Sequence, residues 1–178
     1  RYQWGAQVNQ GSVAAAYQKT VATTTEWGAN QNLVTYSEGV VSTLDSSLVV
    51  TNAGTTITGY ANSIQFGDNT VTRLAYRLYT HKIGATYTIS VIVQMDDNNA
   101  PVVGLNNSSG DFCLVCASRV TTSTPVVTSL GGNVYRVSSS LVTTNTPPSW
   151  GVVKYTTQST KGFRVTGMQL NEGSVVQN

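Results

Sequence analysis

Charge is what this chain has least of. Asp, Glu, Lys and Arg make up 10% of its 178 residues, with a formal net charge of +2, where soluble domains carry about a quarter charged residues. No basic run exists, which argues against nucleic acid as a partner, since that needs a clustered Lys/Arg footprint. Histidine occurs once, at His81, and cysteine twice, at Cys113 and Cys116. A C-x-x-C zinc site needs a second ligand pair, and one histidine cannot supply it. On a strand, positions i and i+3 also point to opposite faces, so the two cysteines read as small buried side chains. No apolar run reaches the roughly 18 residues of a membrane-spanning helix, so no membrane insertion is expected. Helical signals are scarce too: only 11–18, with Ala14, Ala15 and Ala16, suggests a short turn of helix.

What the chain has instead is Ser, Thr, Asn and Gln on a background of Val, Ile and Tyr. Everything after 11–18 reads as strands of four to ten residues broken by Gly, Asn, Asp and Pro clusters. The clearest runs from Thr86 to Met95. Tyr87, Ile89, Val91, Val93 and Met95 form an apolar face; Thr86, Thr88, Ser90 and Gln94 form most of a polar one, with Ile92 the exception. Such alternation puts one side on a core and the other in water or a groove. In 70–80, Leu74, Tyr76 and Leu78 alternate with Arg73, Arg77 and Tyr79, which predicts the leucines and Tyr76 inside. Further strands are expected over 112–119, 133–143, 151–157 and 162–170, with weaker ones at 48–50, 55–57 and 63–66. Turns fall at Gly131-Gly132, Pro147-Pro148 and Thr160-Lys161-Gly162. Many short strands at this spacing predict an all-β antiparallel sandwich.

The two ends of the chain resemble each other. Gly5-Ala6-Gln7-Val8-Asn9-Gln10-Gly11-Ser12-Val13 matches Gly167-Met168-Gln169-Leu170-Asn171-Glu172-Gly173-Ser174-Val175 without a gap. Repetition of a strand and turn at such a distance suggests a tandem array. Residues 1–20 are then the closing strand and linker of an upstream similar domain, and 21–178 one complete domain.

Three segments carry a family resemblance. Ala85-Thr86-Tyr87-Thr88-Ile89-Ser90-Val91-Ile92-Val93 resembles the "tYtlSvyvk" strand of jelly-roll carbohydrate-binding modules of the family 4/9-like type. Leu130-Gly131-Gly132-Asn133-Val134-Tyr135-Arg136-Val137-Ser138 is similar to their "g-WYRvs" strand, with Val134 where those modules often have Trp. Gly167 to Ser174 resembles their closing "GaQlE-Gs" strand. Such domains are frequent in bacteriophage tail fibres, tailspikes and other virion appendages. The resemblance therefore implies a jelly roll in an extracellular virion appendage that binds bacterial surface polysaccharide without catalysis. It also implies neighbouring domains on the same chain and, by analogy with tail fibres, a homotrimer, although no heptad run marks one. A spacer or decoration domain, or an accessory module of a secreted polysaccharide-degrading enzyme, are the alternatives.

The side chains that suit sugars are aromatic faces, planar amides and guanidinium groups. The candidate groove is the polar face carrying Arg77, Tyr79, His81 and Gln94, with Arg136 on a later strand. Trp150, after Pro147-Pro148, stands at a strand mouth as either a stacking platform or a plug, with Lys154 on the same face; Trp27 opens the domain. No Gly-x-Ser-x-Gly elbow accompanies His81, and no carboxylate pair is indicated, so no enzyme is expected. No cofactor is expected either. The resemblance allows one structural calcium, for which Gly67-Asp68-Asn69 and 96–99 offer oxygens, but ordinary turn capping explains those residues.

Overall fold

The computed structural model describes residues 39–174, apart from 55, 69–70, 117–118, 122 and 145–148. The block at 5–13, the turn of helix expected at 11–18, the boundary at residue 20 and Trp27 lie outside the described residues. Among those described, a 3-10 turn (Val41–Thr43) is followed by eleven strands. They are β1 (Ser46–Leu48), β2 (Thr51–Asn52), β3 (Ile64–Phe66), β4 (Arg73–Leu78), β5 (Thr86–Met95), β6 (Cys113–Cys116), β7 (Arg119–Val120), β8 (Val126–Gly131), β9 (Val134–Val142), β10 (Ser149–Lys154) and β11 (Phe163–Glu172).

The strands form two antiparallel sheets, one ordered β1-β4-β10-β6-β7 and the other β2-β3-β11-β5-β9-β8. Each sheet mixes early and late strands, so the chain crosses between layers repeatedly, as in a jelly-roll sandwich. Alternation sets what lies between them. Tyr87, Ile89, Val91, Val93 and Met95 of β5 point inward, as expected, beside Phe66, Val137, Phe163, Val165, Met168 and Leu170. Ala75, Leu114, Cys116, Trp150 and Val152 meet them from the five-stranded sheet. The Phe66 and Phe163 rings stack at 4.7 Å, and Phe112 lies 4.7 Å from Phe163 on its other side. Leu141 packs on this core partly buried, and Tyr135 is half-buried.

Two strands depart from the sequence pattern. In β4 the faces are reversed: Arg73, Ala75 and Arg77 are buried while Leu78 is 52% exposed. With only alanine between them, the two arginines reach inward along their apolar stems. Their guanidinium groups donate to the carbonyls of Val49 and Thr43, and Arg77 also reaches Thr43 Oγ1 (2.8 Å). Chain entering the domain at 41–49 thus supplies acceptors that local periodicity does not reveal. Strand β8 was not expected at all. It pairs with β9 through the turn at Gly131-Gly132 and forms a sheet edge exposed along its whole length, so it lacks the buried face that betrays a strand.

Candidate functional site

Three of the six residues expected to contact a ligand, Trp150, Arg77 and His81, are interior. Trp150 is fully buried on β10, the central strand of the five-stranded sheet, and its indole is part of the main core. It is the plug, not the platform. Arg77 faces the inner layer, as above. His81 is 1% exposed; its Nε2 lies 3.4 Å from Cys116 Sγ and its ring meets Tyr87 edge-on at 4.8 Å. Tyr79 is half-buried against His81 and Tyr87. Strand β4 belongs to the five-stranded sheet and β5 to the other, so their polar faces never meet. Gln94 and Arg136 lie on the outward face of the six-stranded sheet, Gln94 paired across to Arg164 and Arg136 to Ile92. Cys113 and Cys116 do take opposite faces. Cys116 joins the core, while Cys113 sits outside it under Asn106 and Gln158, where burial pushes its thiol pKa up.

The outward face of the six-stranded sheet holds a different constellation. Its β5 row is Thr86, Thr88, Ser90, Ile92 and Gln94, and the apolar exception, Ile92, explains itself here. Ile92 packs with Ile57, Val134 and Tyr60 in a second small cluster outside the main core. Ile57 had been expected in a strand; it lies instead in the 53–63 connection between β2 and β3, and it pins that loop onto the sheet. A turn closes at Tyr60, whose N–H donates to Ile57 O (2.9 Å), and Ala53 N–H donates to Ser63 O (2.9 Å) at the loop base. Opposite, β11 carries a bulge between Thr166 and Gln169. Gly167 makes it possible: φ is +57°, and a Cβ there would stand 2.9 Å from Ile92 Cγ1. The bulge keeps Met168 and Leu170 pointing inward while Gln169 faces out.

Loop and bulge enclose an open cavity of about 330 Å³ lined by Tyr60, Asn62, Ile92, Arg136, Thr166 and Gln169, with Gly59, Ala61 and Gly167. A second hollow of about 500 Å³ lies on the other side of Tyr60, against Leu130, Gly131 and Gly132 of the β8–β9 turn. Tyr60 therefore stands between two depressions. Ser90 Oγ donates to Gln169 Oε1 (3.4 Å). No carboxylate lines either hollow among the described residues. A ring, two planar amides, a guanidinium and a hydroxyl are groups that hold a hydroxyl-rich ligand in place; they contain no paired acids to cleave one.

Further along the same face, Thr88 Oγ1 donates to Gly173 O (2.6 Å) and accepts from Ser140 Oγ (2.7 Å). Beyond it Thr86, Ser140, Leu141 and Val142 border a third hollow of about 580 Å³ under Val120 and Ser123. Several of the oxygens the sequence offered to a calcium have protein partners of their own. Gly67 O accepts from the buried Lys154 ammonium (2.9 Å), which also donates to Lys161 O. Asp96 meets Gln65 and Arg164, and Asp97 meets Lys161 (3.0 Å) and the Asn99 N–H.

Of the residues around Tyr60, the sequence singles out Arg136 as a sugar-suited side chain and Ile92 as an exception; Gln169 enters only through the repeated block, and Tyr60 and Asn62 not at all. The available signals were Ile92 itself, an apolar residue on a polar face, and Gly167-Met168-Gln169, one residue too many for strict alternation.

No protein-family model and no curated protein matches the chain. Among solved structures it is similar to the CBM22-1 xylan-binding domain of Xyn10C from Paenibacillus barcinonensis. The TM-score is 0.52 at 11% identity, covering 83% of this chain and 98% of that domain. At that identity the likeness speaks for the fold: an antiparallel jelly-roll sandwich.

Proposed function

We propose that this domain is a non-catalytic glycan-binding module whose site is the cavity around Tyr60 on the outward face of the six-stranded sheet. The observation that carries the reading is the company of Tyr60, Asn62, Arg136 and Gln169 around one open cavity with no acid among them. The fold likeness to a xylan-binding domain supports it. The larger setting we infer is a virion appendage such as a tail fibre, where bacterial surface polysaccharide is the ligand and trimers are the usual assembly. Its support is the three-strand resemblance and the tandem block. Residues that recur in that block fall where the second copy needs them: Gly167 at the bulge, Gln169 at the cavity and Asn171 fully buried. The fold likeness to a polysaccharide-binding domain favours a second reading, an accessory module of a polysaccharide-degrading enzyme, and the site serves both.

The test is a glycan array followed by titration of the full chain. Saturable binding lost in Tyr60→Ala and Gln169→Ala, and kept in Tyr79→Ala, is the expected result. Silence of the folded protein across bacterial and plant polysaccharides would overturn it in favour of a spacer domain.

A further inference from the structure

Resting on that reading, we propose that the second hollow beside Tyr60 seats a neighbouring sugar of the same glycan chain, and that this sugar carries a methyl group, as acetyl esters, acetamides and deoxy sugars do. Tyr60 and Gly59 line both hollows, so a chain held in the first continues into the second. Their volumes, about 330 and 500 Å³, fall within the roughly 300–1,000 Å³ usual for small-ligand sites. The two hollows differ in chemistry. The first offers the amides of Asn62 and Gln169 and the Thr166 hydroxyl. Among the described residues, the second has Leu130, Val134 and Thr58 as its side chains besides Tyr60, and the rest of its wall is the backbone of Gly59, Gly131 and Gly132. A Cβ added at Gly131 or Gly132 would meet nothing within 4 Å, so that wall stands bare. Val134 in the second hollow and Ile92 in the first belong to one apolar cluster with Ile57 and Tyr60. Leu130 is 46% exposed. The β8–β9 ladder shifts register between Ser129 and Gly131, which makes Leu130 the extra residue of a bulge, a device that re-aims a side chain. A hydroxyl lodged against Leu130 and Val134 would lose water without gaining a partner, whereas a methyl group gains by leaving water. A hydroxyl-rich ring therefore suits Asn62 and Gln169, and a methyl-bearing one suits Leu130.

The experiment titrates the full chain with matched probes, followed by calorimetry and by NMR of the leucine and valine methyl groups. Chitohexaose is set beside cellohexaose, which has hydroxyls in place of the acetamides. Acetylated glucomannan is set beside its alkali-deacetylated form, and methyl α-L-rhamnoside beside methyl α-L-mannoside, which differ by one hydroxyl. The expected result is that the methyl-bearing member of at least one pair binds roughly tenfold tighter, the lower end of what one such group decides in an apolar pocket, because this hollow is open. Its methyl protons should show nuclear Overhauser contacts to Leu130, and the pair that responds identifies the source of the methyl group. Leu130→Ser brings that member down to the level of its partner, and Leu130→Met, apolar and of similar bulk, keeps the margin. Circular dichroism and urea midpoints check the fold of both variants. Equal affinity within every pair overturns the methyl assignment while leaving glycan binding intact. A methyl preference that survives Leu130→Ser overturns the second hollow as its seat. Binding to none of the probes also overturns this inference, and the wider glycan array then decides the parent reading on its own.

Discussion

Replacing Ile57 by alanine tests whether the loop at 53–63 is a separable wall of the site. Ile57 is fully buried, yet among the described residues its apolar company is only Ile92, Val134 and Tyr60. Burying an isoleucine contributes about 1.5–3 kcal/mol, and truncation to alanine costs about 2–5 kcal/mol where the surroundings cannot relax. A small cluster under a loop relaxes easily, so the lower end applies, about 2 kcal/mol. That cost falls on loop closure and not on the main core, because the cluster lies on the opposite face of the sheet. It corresponds to roughly a thirtyfold rise in the open population, at about 1.4 kcal/mol per tenfold. Native-state hydrogen exchange reads this directly. The Tyr60 and Ala53 amides, which close the loop on Ile57 O and Ser63 O, should exchange roughly thirtyfold faster. Amides in the centre of β5 should keep their wild-type rates. If the two loop amides are unaffected, or if β5 amides accelerate equally, the loop is not a local unit and the reasoning fails.

Trp150→Ala should destabilise the domain by about 3–5 kcal/mol in urea, as expected for a fully buried aromatic on a central strand. Trp150→Phe should lower the midpoint less and leave glycan affinity unchanged; a selective loss of binding at intact stability would contradict its place in the core. Tyr76 should make the domain sensitive to alkali. Burial, with Tyr155 and Cys113 nearby, raises its pKa from 10.0 to about 12, so the folded state keeps a proton that the unfolded chain releases. Stability contributed by Tyr76 is full below pH 10 and is lost as pH climbs toward 12, by at most about 2–3 kcal/mol and less because solvent reaches part of the ring. The Lys154 pKa is lowered, first by burial, which works in the opposite sense over the alkaline range. The difference between wild type and Tyr76→Phe in urea titrations at about pH 9 and about pH 12 therefore isolates the tyrosine. An unchanged difference across that range would show that Tyr76 does not couple to folding.

The β5 row shows how far a sequence reaches. Strict alternation along ten residues assigned its two faces correctly, because a strand with one face in a core admits no other register. The same rule misled in β4. Alternation reports that two faces differ but not which one turns inward, and arginine can be buried when passing backbone supplies its acceptors. Those acceptors, Val49 O and Thr43 O, belong to chain some 24 to 34 positions away, and local pattern is blind to them. Trp150 posed the same problem: its type suited both a platform and a plug, and only its strand's central place in the sheet decided between them.

By itself, then, the sequence determined what local chemistry controls: the strand class, the antiparallel sandwich, the inward residues of β5, and the opposed cysteines. Only the tertiary structure decided which strands share a sheet. That decision split Arg77, Tyr79 and His81 from Gln94, folded the 53–63 loop back through Ile57 onto Ile92, and gathered Tyr60, Asn62, Arg136 and Gln169. Those four come from three segments distant in the chain. Their meeting is set by strand order and one glycine bulge; the bulge shows locally only as a break in alternation at Gly167-Met168-Gln169, and strand order leaves no local trace at all.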